Sequence, residues 1–143
     1  MPKTSNFNPQ SPTNPQNPSF KKPHTFDLEA RTLKFGKNIV NFCAKLPQTN
    51  VFKPIIDQLI RSGTSLGANY YEATEASSRR DFLNKIAIAK KEAKETQYWL
   101  RLLAELLPLK ITDIKTLSKE AQELNLIFAA IIRNSNSKPK FDN

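Results

Sequence analysis

Cysteine and histidine occur once each in the 143 residues. A lone cysteine, Cys43, excludes an internal disulfide and any paired-cysteine zinc site. A lone histidine, His24, removes most imidazole-based metal binding and acid–base catalysis. Glycine is scarce at 3 residues, and the sequence has no phosphate-binding P-loop, no dinucleotide fingerprint and no G-x-S-x-G nucleophile elbow. No apolar run approaches the ~18 residues of a membrane span. The N-terminus lacks the apolar stretch of a secretory signal, so the expectation is a cytoplasmic protein with no membrane segment. Acidic residues are few: 13 Asp+Glu face 22 Lys+Arg, a net charge of +9. What remains is a basic chain long enough for one domain with a core.

Proline is present but segregated. Pro2, Pro9, Pro12, Pro15, Pro18 and Pro23 fall within residues 1–25, among Asn, Gln, Ser and Thr. Such a stretch buries too little apolar surface to offset its ordering entropy, which predicts a disordered arm over 1–25 carrying Lys3, Lys21 and Lys22. Residues 135–143 read as a similar C-terminal tail. Between them, residues 26–134 show helical periodicity throughout and no strand alternation.

Four amphipathic segments make up this body. The first, about 27–46, places Leu28, Thr32, Phe35, Ile39, Phe42 and Leu46 on one stripe, with Thr25 as candidate N-cap. Cys43 falls on its apolar side and reads as a small core residue rather than a nucleophile. The second, from 51 or 54 to 76, has the stripe Ile56, Leu59, Gly63, Leu66, Tyr70 and Ala73. Gly63 and Gly67 each sacrifice about 1 kcal/mol of helix propensity relative to alanine, which points to close approach of another helix. The third, about 78–107, carries Phe82, Ile86, Ala89, Ala93, Thr96, Leu100, Leu103 and Leu107, with Ser77 or Ser78 as cap. The fourth, about 112–133, carries Ile114, Leu117, Ala121, Leu124, Phe128 and Ile131, with Thr112 as cap. Four such helices joined by short connections predict an all-α fold, an antiparallel up-down four-helix bundle.

The third helix has three faces. Beside its core stripe lie Ile88, Trp99, Leu102 and Leu106, which widen the apolar arc to roughly 200°, where one core contact needs about 100°. That surplus predicts a subunit interface anchored by Trp99; the competing reading has Trp99 covering its own chain. The remaining arc holds Arg79, Arg80, Lys90, Lys91, Lys94 and Arg101, a row suited to phosphate contact or, more simply, a solvated face.

Polar residues flank the seams. Arg61, Ser65, Asn69 and Glu72 recur along the second helix, and Lys85, Glu92 and Glu95 along the third. Glu92 and Glu95 could be read as a catalytic carboxylate pair, but no cleft is marked, and a polar network fixing helix register is the better reading. A di-metal carboxylate bundle requires Glu-x-x-His pairs and fails on the residue inventory. No metal, cofactor or catalytic residue is therefore expected.

The ordered segments Gln58-Leu59-Ile60-Arg61-Ser62, Ser65-Leu66-Gly67-Ala68-Asn69-Tyr70-Tyr71-Glu72-Ala73, Asp81-Phe82-Leu83-Asn84-Lys85, Ile86 through Thr96, and Trp99-Leu100 resemble a known family. This is the bacterial four-helix bundle family encoded in intervening sequences of 23S ribosomal RNA, also labelled ribosomal S23. The resemblance spans about 26–133; where this chain has Tyr71-Glu72-Ala73, many members carry Ala-Glu-Gly. It implies a ring, typically a homopentamer. It also implies kinship with the accessory protein of diversity-generating retroelements, a basic pentameric bundle that binds its reverse transcriptase and nucleic acid. The resulting expectation is a non-enzymatic homo-oligomeric bundle that binds RNA or DNA through the basic helix face. The alternative is an adaptor docking onto a partner enzyme such as a reverse transcriptase.

Overall fold

The computed structural model describes residues 27–136. The proline-rich arm expected over 1–25, and residues 137–143 of the expected tail, lie outside the described residues. Four helices follow in order: α1 (Leu28–Ala44), α2 (Lys53–Thr74), α3 (Arg79–Leu106) and α4 (Ile111–Asn136), with a 3-10 turn, Pro108–Lys110, leading into α4. No strand occurs among the described residues. α4 takes in Ser135 and Asn136, so the helix runs two residues into the segment read as tail.

Two of the expected caps fall elsewhere. Asp27, not Thr25, caps α1: it adopts the left-handed conformation, φ 41° and ψ 41°, and its carboxylate accepts the Ala30 N–H. A short polar side chain tolerates that region better than most residues. Thr112 lies inside α4, because Pro108 starts the 3-10 turn and the turn passes directly into helix. The Thr112 carbonyl instead accepts the Thr116 hydroxyl at 3.2 Å. Ser78 does cap α3, in extended conformation, with its hydroxyl accepting the Asp81 N–H at 3.1 Å.

The apolar stripes of the four helices converge on one core. Every stripe residue named above is buried except Leu107, which is half-buried against the core. Cross-helix contacts establish the antiparallel course. Gly63 meets Ile39 and Gly67 meets Thr32 between α1 and α2. Ser62 meets Thr96, and Glu72 meets Lys85, between α2 and α3. Asn125 meets Lys90 between α3 and α4. In the first two pairings one residue number rises as the other falls, and the short link at residues 107–110 folds α4 back along α3. α1 touches α4 only thinly, and there Arg31 reaches across to both Glu120 and Glu123.

Gly63 is the tightest point. A Cβ there would lie 2.9 Å from both γ-carbons of the fully buried Ile39. Ile39 branches at Cβ, so no rotamer moves both carbons away. Gly63→Ala should therefore lower stability by about 1–2 kcal/mol, because overpacking outweighs the helix-propensity gain. At Gly36 the nearest atom to a new Cβ is 3.7 Å away, an ordinary contact, and Gly36→Ala should raise stability by up to about 1 kcal/mol. Urea midpoints of the two variants should move in opposite directions.

Candidate nucleic-acid interface

α3 and α4 pack side by side, and their outward surfaces form an open groove of about 1150 Å3. From α3 come Lys90, Lys91, Lys94, Tyr98 and Arg101; from α4 come Lys115, Ser118, Lys119 and Gln122. One hydrogen bond marks the register between the walls. The Asn125 side-chain amide donates to the Lys90 carbonyl at 2.9 Å. Counting away from that bond along two antiparallel helices brings Tyr98 level with Ser118, and Arg101 level with Ile114 and Lys115.

The groove cations stand out by their convergence, since Lys34, Lys37, Arg79 and Arg80 are likewise in no ion pair among the described residues, whereas three cations elsewhere are held by carboxylates. Arg31, Arg61 and Lys85 are each engaged with carboxylates. Among the described residues, none of Lys90, Lys91, Lys94, Arg101, Lys115 and Lys119 is paired with one. One carboxylate, Glu95, lines the groove, and it is already occupied. Arg61 pairs with it, and the Trp99 indole N–H donates to its Oε1 at 3.2 Å. The hydrogen bond from Arg61, reinforced by that of Trp99, holds the Glu95 carboxyl below its ordinary range, so it is ionised at neutral pH, sharing the Arg61 cation with Glu92.

Of the residues expected at a nucleic-acid face, Lys90, Lys91, Lys94 and Arg101 come together in the groove. Arg79 and Arg80 are the first residues of α3 and are exposed, about 15 Å along the helix from Lys90 and outside the groove. Lys115, Lys119 and Tyr98 were not assigned to this face from sequence. The spacing of Lys115 and Lys119, one helical turn apart, and of Tyr98 between Lys94 and Arg101 was the available signal. What the sequence did not supply is which face of α4 adjoins the basic face of α3.

The polar residues form separate clusters rather than one network. Arg61 on α2 spans to Glu92 (3.1 Å) and Glu95 on α3. Glu72 pairs with Lys85 at 2.7 Å. The Asn69 amide donates to the carbonyl and hydroxyl of Ser65 on its own helix. The fully buried polar contact between α2 and α3 is a different pair, Ser62 and Thr96, whose hydroxyls lie 3.0 Å apart. Each also reaches a carbonyl of its own helix, Leu59 for Ser62 and Glu92 for Thr96, and among the described residues no buried side-chain polar atom lacks a partner. The Cys43 thiol is buried, which pushes its pKa up to about 12. It stays protonated at neutral pH and is a poor nucleophile there.

The proposed interface residues divide. Ile88 and Leu106 are 40% and 46% exposed, whereas Trp99 and Leu102 are half-buried, with Trp99 packed against its own core. A second apolar surface, not foreseen, lies between α1 and α2. There Leu33 (74% exposed) and Tyr71 (56% exposed) flank a groove lined by Gly36, Gly67 and Ala68. No group of three or more His, Cys, Asp or Glu among the described residues could hold a metal ion. Among the described residues no helix is long and apolar enough to cross a membrane.

Comparison with known proteins agrees with this architecture. A crystal structure of a protein of unknown function from the S23 ribosomal protein family of Bacteroides thetaiotaomicron superposes with a TM-score of 0.69 at 38% sequence identity, covering 74% of this chain and 98% of that one. Comparison with curated proteins returns no match. The profile of the 23S rRNA-intervening sequence protein family matches residues 25–130, which takes in all but the end of the bundle. The chain belongs to the 23S rRNA-intervening sequence protein family.

Proposed function

We propose that the chain is a non-enzymatic, homo-oligomeric bundle that binds nucleic acid through the groove between α3 and α4. The observation that carries this reading is the convergence of unpaired cations. Lys90, Lys91, Lys94 and Arg101 on one wall and Lys115 and Lys119 on the other share a surface whose one carboxylate among the described residues, Glu95, is bound by Arg61. Cations held in that way, without partners, lower the potential energy of a polyanion and release its counterions on binding. Oligomerisation is supported by the apolar side chains left in solvent, Leu33 and Tyr71 on one side and Ile88 and Leu106 on another, since monomers rarely expose such surfaces. The family resemblance favours a pentamer.

The test is binding of the purified full chain to nucleic acid across a salt series, with mass measured by light scattering. Log affinity should fall linearly with log salt, with a slope of about −3 to −5 if most of the groove cations meet phosphates. The mass should be a fixed multiple of the chain. An affinity independent of salt removes the groove reading, and a monomeric mass removes the oligomer. Failure to bind nucleic acid with the oligomer intact would turn the reading towards a protein-docking adaptor.

A further inference from the structure

The groove does more than collect charge. Tyr98 stands 58% exposed inside it. On a helix, residues three and four apart are neighbours, so Lys94 and Arg101 flank the phenol along the groove. Tyr98 is also braced from behind. Its ring meets Trp99 edge-to-face, with centroids 5.0 Å apart and planes at 75°. Trp99 in turn is tied to Glu95, and Glu95 to Arg61 on α2. An exposed aromatic whose base is fixed loses little freedom when a flat ligand stacks on it.

The lining between the cations is mixed, with Gln97, Ser118, Gln122 and Asn125 beside apolar residues nearer the two ends. Ile114 is buried beneath the groove, and Ala104 and Ile132 are half-buried. Side by side, packed helices leave a furrow whose axes are about 8–10 Å apart. A duplex presents only phosphates and sugars to such a furrow. Its bases are stacked on each other, so it offers nothing to a phenol face. A single strand has both parts required: a base face for Tyr98, and phosphates for the cationic rim.

We propose that the groove selects single-stranded nucleic acid, with Tyr98 as the stacking platform for one base between phosphates held by Lys94 and Arg101 and, from α4, by Lys115 and Lys119. This rests on the nucleic-acid reading above and narrows it to a ligand class. RNA and DNA strands share the recognised chemistry.

The experiment uses the full chain and fluorescently labelled homopolymer strands, RNA and DNA, beside a blunt duplex of equal length and an abasic strand, all at one salt concentration. The single strands should bind at least roughly tenfold more tightly than the duplex and the abasic strand. Tyr98→Ala should weaken single-strand binding by roughly five- to a hundredfold and leave the duplex and abasic affinities unchanged. Its salt slope should equal that of the parent, because no charge is removed. Tyr98→Phe, which keeps the stacking face, should stay within about threefold. Whichever of RNA or DNA binds more tightly identifies the source of the strand, and either preference over duplex supports the proposal. Equal affinity for duplex and single strand overturns it, as does indifference to Tyr98→Ala; both outcomes would leave electrostatic binding standing. Absence of binding to every probe overturns the parent reading as well. Tyr98 is largely in solvent, so the variant's fold, checked by its thermal transition, should be that of the parent.

Discussion

Replacing Lys90, Lys91, Lys94 and Arg101 together by alanine should weaken nucleic-acid binding on the order of a hundredfold or more at about 0.1 M salt. The magnitude follows from counterion release. Each phosphate met on a single strand contributes about 0.7 to the slope of log affinity against log salt. At about 0.1 M salt that is also about 0.7 of a decade in affinity, so four contacts supply nearly three decades. The salt slope should fall by about three at the same time. All four side chains project from the outer face of α3 and none is in an ion pair among the described residues, so stability should hardly change.

A sharper comparison separates placement from net charge. Lys115→Ala with Lys119→Ala, and Arg79→Ala with Arg80→Ala, each remove the same charge. The α4 pair lines the groove and the arginine pair does not. The α4 double variant should lose roughly ten- to thirtyfold in affinity, and the arginine double variant much less. Titrations by fluorescence anisotropy, run at matched salt, decide it. Equal losses would mean that the chain acts on nucleic acid as a diffuse positive body and that the groove has no special standing.

The largest stability effect should come from Phe128→Ala, at about 3–5 kcal/mol. Phe128 is fully buried on α4, and its ring lies 6.2 Å from that of Tyr70 on α2. It therefore packs across the bundle, tying together two helices that have few other mutual contacts. Truncation removes the ring's transfer free energy and leaves a hole that neighbours on several helices would have to move to fill. Domains of this kind are stable by about 5–15 kcal/mol in total, so the variant should unfold at much lower urea, or fail to fold at body temperature. Two positions away, Leu126 is exposed, and Leu126→Ala should stay within about 0.5 kcal/mol of the parent. A loss below about 1 kcal/mol at Phe128 would show that the core can collapse around the gap.

The helices and their buried stripes were legible from periodicity because burial on a helix is a local property. A residue such as Leu100 or Phe128 declares its side by its neighbours three and four positions away. Cap positions were less legible. Thr25 and Asp27 are both good N-cap types, and the choice between them depends on where the chain turns onto the bundle. Thr112 failed for a similar reason, since Pro108 can begin a 3-10 turn as readily as end a helix. The groove was half legible. The basic arc of α3 could be drawn on a wheel, but Lys115 and Lys119 join it only through the packing of α4 on α3, which brings together residues as far apart as Lys90 and Asn125. The same holds for Arg31, whose partners Glu120 and Glu123 lie on the far helix of the chain. Trp99 was read from its type as an interface anchor, and the structure places it partly on its own core, where α2 supplies the shelter.

That position of Trp99 has an optical consequence. The chain contains one tryptophan, so ultraviolet emission excited selectively at the indole originates at a single known point. The indole touches Tyr98 on one side and is hydrogen-bonded to Glu95 on another. Unlabelled protein thus carries its own spectroscopic gauge. Its colour and quenching register both what lies against the phenol and whether the carboxylate beneath remains in place, with no dye added and no residue changed.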